Sequence, residues 1–192
     1  MKYAGNIFTI ENVITPDECQ AYIALTEQAG YDDAPTTTIG GFVMRPDIRN
    51  NRRVIIDDFK IARDLWQRVQ THIPPVLKGR QALGLNERLR FYRYDVGQYF
   101  APHYDGCFRR DNGEESLLTF MIYLNDDFEG GETKFVDVSI KPETGMALVF
   151  DHDLLHEGCA VTKGRKYALR SDVMYGRFGV FTSDPPLFLK RY

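Results

Sequence analysis

From Gly84 almost to the end of the chain, short apolar and polar alternations follow one another, separated by polar turns. That pattern restricts the fold to a few β architectures. It predicts strands over 85–94, 98–104, 117–124, 132–138, 146–150, 157–161 and 166–175. The turns between them include Asp111-Asn112-Gly113, Asn125-Asp126-Asp127 and Glu129-Gly130-Gly131, residues that accept the tight conformations a reversal needs. Within 85–94 the two-residue period sends Leu89 and Phe91 to one face and Arg88, Arg90, Tyr92 and Tyr94 to the other.

The part before Gly84 reads differently. A short strand over 7–10 is followed by Thr15-Pro16-Asp17-Glu18, a capping box with proline at the first helical position. The helix it starts is predicted to run from Pro16 to about Ala29, with Cys19, Tyr22, Ile23 and Thr26 on its packing face. After an irregular stretch over 31–51, Val54-Ile55-Ile56 suits a short strand. Asp57 or Asp58 then caps a second helix whose Ile61, Leu65, Trp66, Val69 and Ile73 recur at helical spacing until Pro74-Pro75. The expected fold is mainly β with packing helices: a barrel or jelly roll carrying the N-terminal helices on one outer face. With no linker or internal repeat, 1–192 is expected to be a single domain, 1–84 supporting and 85–176 forming the core that carries the site.

Composition excludes some classes of function. A chain of 192 residues, 43% of them hydrophobic, buries a core without staples, and three scattered cysteines make no disulfide framework. A net charge of -3 argues against a general affinity for nucleic acid or anionic membrane. Neither a signal-like start nor a membrane-length apolar run is present, so the expected location is cytoplasmic.

The chemistry centres on Pro102-His103-Tyr104-Asp105-Gly106, because in an extended chain residues i and i+2 share a face and two ligating groups can converge on one ion. A third ligand is available in His152 or His156. His156, just before a strand, suits the role better; His152, within an acidic turn, is expected to be solvent-exposed or to support the ligands. Two histidines and a carboxylate form the facial triad used by ferrous oxygenases. The spacing of His152 and His156 also fits a helical zinc site with Asp153 in place of the usual glutamate. The six residues 151–156 between predicted strands are too few for the helix this requires.

Lys166, Ala168, Arg170 and Asp172 share one face of a late strand, and Thr119, Met121 and Tyr123 one face of a middle strand. If both point inward, a buried cation beside a tyrosine hydroxyl needs an anion, and a dicarboxylate co-substrate would supply it. Arg45, Arg49, Arg52 and Arg53 lie within nine residues. They suit recognition of a carboxylate, phosphate or peptide backbone, or simply a solvated loop. Cys107 and the loop 108–115 follow the ligand pair, where they would border an entrance.

His103, Asp105, His156 and Lys166, together with 94–103, Tyr123-Leu124-Asn125, Gly130-Gly131-Glu132-Thr133 and Lys166-Tyr167-Ala168-Leu169-Arg170, closely resemble the prolyl 4-hydroxylase-like branch of the iron(II)/2-oxoglutarate dioxygenases. The resemblance covers roughly 85–175 in motif order; the N-terminal part matches in outline. It implies a double-stranded β-helix with Fe(2+) held by His103, Asp105 and His156. Lys166 would meet the distal carboxylate of 2-oxoglutarate, with Tyr123 as its hydrogen-bonding partner and Tyr94 nearby. It further implies O2 as oxidant, ascorbate as an optional reductant, and hydroxylation of a prolyl or similar residue in a peptide or protein, with succinate and CO2 as co-products. The alternatives are a free amino acid or small metabolite as substrate, or a barrel that only binds. Candidate substrate contacts are Arg170, Arg45, Arg49 and Arg52, Arg170 serving equally as a structural ion-pair partner.

Overall fold

A computed structural model describes residues 7–38 and 40–177. Its first helix, α1, spans Pro16–Ala29 and starts as the capping box dictates: Thr15 Oγ1 accepts from the Glu18 N–H, and Glu18 accepts from the Thr15 N–H at 2.8 Å. The second, α2, spans Phe59–Val69, with Asp58 accepting from the Ile61 N–H. It stops short of the predicted end. Pro74 disfavours helical backbone at Ile73, so the chain leaves the helix after Val69 and buries Ile73 from a turn.

The main sheet runs, edge to edge, through Phe8–Ile10, Ala147–Asp151, Glu115–Tyr123, Lys166–Gly176, Arg88–Tyr94, Arg52–Asp57 and Asp32–Asp33, with Arg80–Leu85 also pairing the Lys166–Gly176 strand. The pairings are antiparallel. A smaller sheet orders Ser139–Ile140, Thr133–Phe135, His156–Gly158 and Phe100–His103. Among the described residues, five strands that begin upstream of Gly84 were not foreseen: Asp32–Asp33, the hairpin of Thr36–Thr38 with Gly41–Val43, and Val76–Leu77 with Arg80–Leu85, the last of which also pairs with the distant residues 173–176.

Alternation assigns the two faces of the main sheet. Leu89, Phe91, Phe120, Ile122, Ala147, Val149 and Leu169 point outward into a cluster with Cys19, Ala62, Leu65 and Val69 of the helices. On the opposite face, Tyr123, Leu148 and Phe150 pack against Phe135 and Ile140 of the smaller sheet. The helices therefore seal one side of the main sheet, and the interior between the sheets is left to form a site. This is the β fold with helices on one outer face that the pattern predicts.

Candidate active site

Strand pairing brings the two histidines together. His103 and His156 are direct partners across the smaller sheet, and their rings lie 4.3 Å apart between centroids. Asp105 follows His103 by two residues and is tied back by its N–H, which donates to the His152 carbonyl. One ligating atom from each of His103, Asp105 and His156 lies within 4.8 Å of the others, the only such group of three among the described residues. Nδ1 of His103 sits 2.8 Å from the Ala101 carbonyl and Nδ1 of His156 sits 2.9 Å from that of Leu154. A carbonyl only accepts, so each Nδ1 carries the proton and each Nε2 presents its lone pair toward the carboxylate.

Electrostatics hold these groups in the ligand-competent state. Burial, reinforced by the neighbouring His156, lowers the His103 pKa to about 4, and burial also lowers that of His156. Both imidazoles are neutral at pH 7. Burial alone would raise Asp105, but the Arg170 guanidinium, joined at low pH by the two imidazoles in their protonated form and by the Thr119 hydroxyl, outweighs it and holds the carboxyl well below the usual range. Thr119 Oγ1 donates to Asp105 Oδ2 at 2.5 Å and Arg170 Nη2 lies 3.1 Å from Oδ1. A carboxylate offers about four lone-pair positions, so acceptor capacity remains for an ion. Two neutral imidazoles and one ionised carboxylate fit ferrous iron; the imidazoles come from adjacent strands and Asp105 from the loop just past His103.

His152 is not solvent-exposed. It is buried, with Nε2 2.9 Å from Ser116 Oγ and Nδ1 3.0 Å from Thr119 Oγ1. It therefore supports the ligand set by orienting Thr119, which grips Asp105. No helix joins His152 to His156, since the segment passes from Ala147–Asp151 through a turn into His156–Gly158, and the zinc geometry is absent.

The faces left open by the sequence both point inward. Thr119, Met121, Lys166, Ala168 and Arg170 line the same cavity as the triad, with Tyr92 and Tyr94 on the neighbouring strand. Lys166 is 3% exposed, donates to the Gly131 carbonyl at 2.6 Å and has no carboxylate at ion-pairing distance among the described residues. Burial lowers its pKa from 10.5 to about 8, which still leaves most of it charged at pH 7. Its Nζ lies 5.2 Å from the centre of the Tyr94 ring and 5.3 Å from that of Tyr123. Burial raises Tyr94 to about 12, so its phenol stays protonated. The Tyr123 hydroxyl donates to Thr133 Oγ1 at 2.7 Å, and Thr133 lines the cavity. A buried cation without a counter-ion, in the cavity of the triad, fits a dicarboxylate.

The arginines divide. Arg45 is exposed and paired with Asp47, and Arg52 faces Asp33 at 3.9 Å. Arg49 is 5% exposed, with its guanidinium over the rings of Phe100 and Tyr92 at 4.5 and 4.7 Å. Arg170 bridges Asp105 and Asp172, and so joins the ion-pair framework while lining the cavity. Outside the cavity an open cleft of about 600 Å³ is lined by Arg49, Arg53, Arg90 and Arg170 with His103, Asp105, Cys107 and Phe108. Thr119 and Arg90, which the sequence places only on a strand face, gain a role at the site; His152 takes the supporting one of its two expected places, and Arg53 of the arginine run joins the cleft wall. For Arg53 a signal exists: Val54 and Ile56 face the core, so strand parity puts Arg52 with them and Arg53 opposite.

Residues 89–171 match the 2OG-Fe(II) oxygenase superfamily. Over 195 residues the chain is 23% identical to Prolyl 4-hydroxylase 1 of Arabidopsis thaliana, covering 88% of this chain and 68% of that protein. Over 115 residues it is 33% identical to Probable prolyl 4-hydroxylase 10 of the same plant, covering 43% of this chain and 40% of that protein. The fold is shared with a prolyl hydroxylase from Trichoplax adhaerens, solved in complex with a hypoxia inducible factor oxygen degradation domain peptide fragment. The TM-score is 0.67 at 16% identity, over 88% of this chain and 84% of that one.

Proposed function

We propose that this chain, whose residues 89–171 match the 2OG-Fe(II) oxygenase superfamily, is an oxygenase of that kind and hydroxylates a prolyl or similar residue in a peptide or protein, with succinate and CO2 as co-products. The observation that carries the reading is one cavity holding both the triad and a buried lysine with no ion-paired carboxylate among the described residues. His103, Asp105 and His156 would hold the iron, and Lys166 would receive the distal carboxylate of 2-oxoglutarate beside the neutral phenol of Tyr94. Iron and 2-oxoglutarate, when bound, supply the oxygen activation that converts a C–H bond to C–OH.

The protein's own part is placement and shielding. Nδ1 anchoring fixes both imidazole planes, and Thr119, oriented by His152, fixes the carboxylate. Phe100, stacked on His103 at 3.5 Å, and Phe150, edge-on to His156, keep water from the ligand rings. Met121 and Ala168 add apolar wall to the cavity. Tyr123 supports Thr133 from behind. The open cleft over the triad has room for a residue and its flanking backbone, which favours a peptide; the related structure with a bound peptide favours it too.

The test is an anaerobic titration with Fe(II) and 2-oxoglutarate, followed in air by succinate release and by mass-spectrometric detection of oxygen added to proline-containing peptides. Substrate-dependent succinate with oxygen incorporated at a prolyl residue supports the reading. Turnover confined to free amino acids or metabolites transfers the function to the small-molecule alternative, and failure to bind 2-oxoglutarate removes the enzyme class.

A further inference from the structure

The outer cleft contains more positive charge than the protein balances. Of its four arginines, Arg90 and Arg170 both pair with Asp172, at 3.1 and 3.2 Å, and Arg170 also pairs with Asp105. Arg49 and Arg53 have no ion pair among the described residues. In a chain whose overall charge is -3, this is a local concentration of cations with a specific location.

Arg49 is also part of a built site. Its backbone bridges Phe100, the Ala101 N–H donates to the Ile48 carbonyl, and the Tyr99 N–H donates to Asn50 Oδ1, so the loop that carries it is fastened to the strand of His103. Its Nε donates to buried Asn51 at 2.7 Å. Its Nη2 is buried and, among the described residues, meets no acceptor in hydrogen-bonding geometry; the Tyr92 hydroxyl beside the guanidinium interacts with it electrostatically. A guanidinium that is both desolvated and incompletely hydrogen-bonded is costly, and the faces of Phe100 and Tyr92 offset only part of that cost. Arg53 stands directly across the strand pair from Tyr92, half-buried on the same cleft wall. The Phe100 ring lies between Arg49 and the His103 imidazole, so this charge sits one aromatic ring away from the metal ligands.

We infer that the substrate of this site carries a carboxylate on or beside the residue to be hydroxylated, and that Arg49 and Arg53 receive it. The inference rests on the oxygenase reading above and narrows its substrate class. A planar guanidinium pair offers the parallel donors that a carboxylate accepts, and the anion would satisfy Arg49 Nη2 while neutralising two like charges. The distal carboxylate of 2-oxoglutarate does not compete for this role, because Lys166 serves it in the inner cavity. The carboxylate has two sources: an Asp or Glu side chain flanking the target residue in a peptide, or the main-chain carboxylate of a free amino acid.

The experiment uses the 192-residue chain loaded anaerobically with Fe(II) and saturating 2-oxoglutarate. Calorimetry measures binding of two capped peptides identical except for Asp or Asn after the proline, and of free proline against prolinamide. At least one carboxylate probe should bind about tenfold or more tighter than its neutral counterpart. That preference should weaken as salt rises and shrink to within about threefold in Arg49→Gln and in Arg53→Gln. Which pair shows it identifies the source. Arg53 is half-exposed, so Arg53→Gln keeps the test decisive if Arg49→Gln fails to fold. Equal binding of acidic and neutral probes by the wild-type protein, or a preference preserved in the folded variants, overturns the inference. Arginine-dependent binding of the acidic probes without oxidation at proline would support the anion site and count against the prolyl reading. Oxidation of the Asn peptide with no acidic preference would do the reverse.

Discussion

Replacing Lys166 with methionine should produce two opposite effects, because the same charge is a burden to the empty protein and an asset to the loaded one. Lys166 is buried, and its pKa falls from 10.5 to about 8. At about 1.4 kcal/mol for each tenfold change in a protonation equilibrium, carrying this charge costs the empty fold about 3 kcal/mol at pH 7. Lys166→Met removes that cost and keeps most of the aliphatic stem, while losing the bond to the Gly131 carbonyl, worth about 1 kcal/mol. The net expectation is a gain of about 1–2 kcal/mol, a Tm rise of roughly 2–8 °C in a chain of this size. For 2-oxoglutarate, losing a buried charge partner costs about 2–5 kcal/mol, so its Kd should rise by at least about 30-fold. The 2-oxoglutarate-induced rise in Tm should disappear. The sign of the pH dependence follows from the lowered pKa. Below pH 8 folded and unfolded states both hold the proton and the cost is fully present. Between about 8 and 10.5 the unfolded chain keeps the proton the folded one has lost, so the empty wild-type protein should gain stability relative to Lys166→Met as pH rises. Over the same window wild-type affinity for 2-oxoglutarate should fall by up to about tenfold per pH unit. Thermal shift and anaerobic absorption titrations measure both. A variant that binds 2-oxoglutarate within about threefold of wild type would remove Lys166 from the co-substrate, and flat pH profiles would refute the buried-charge argument.

Three further perturbations separate ligands, their support and the scaffold. His103→Ala, Asp105→Ala and His156→Ala should each abolish the Fe(II)·2-oxoglutarate absorption band; a wild-type band in any of them would exclude that residue from the triad. Thr119→Val removes the donor to Asp105 and the partner of His152 Nδ1, and iron affinity should fall by about 10- to 100-fold with the fold retained, as followed by iron titration and circular dichroism. Unchanged iron affinity would show that Asp105 needs no orientation. Gly145→Ala places a Cβ 2.2 Å from the Ile14 carbonyl at a φ of +79° and should cost about 2–4 kcal/mol in urea unfolding; an unchanged midpoint would contradict the close approach of this turn to the start of α1.

Much of this architecture was legible because the two-residue period carries it. Leu89 and Phe91 against Tyr92 and Tyr94, and Lys166 and Arg170 against Leu169, already separate core face from site face before any partner strand is known. The capping box gave α1 its start for the same reason: the information is local. What was missed depends on distant partners. Asp32–Asp33 is a strand only because Arg52–Arg53 lies beside it, and Arg80–Leu85 extends beyond its local pairing with Val76–Leu77 because residues 173–176 lie along it. For His152 the acidic turn leaves exposure and support of the ligands both open, and only the second holds. His152 is buried because Thr119 pairs with Phe150 across the sheet, and that register carries the turn over Ser116 and Thr119.

The arginine segment shows how local and distant information combine at the site. Parity alone separates Arg52, on the side of Val54 and Ile56, from Arg53, and that much can be read from six residues. Which of the two sides looks onto the metal depends on the Arg53–Tyr92 pairing, made with a strand more than thirty residues away. Arg49 has no strand period to announce it. Its burial comes from its bridge to Phe100 and from the two aromatic faces beneath its guanidinium. Two cations placed by unrelated local structures, a strand and a loop, converge on one wall of the cleft. Solvation would keep such charges apart and exposed, as it does Arg45 and Arg52. Their convergence beside His103 is the physical reason to look for the carboxylate in the substrate and not in the protein.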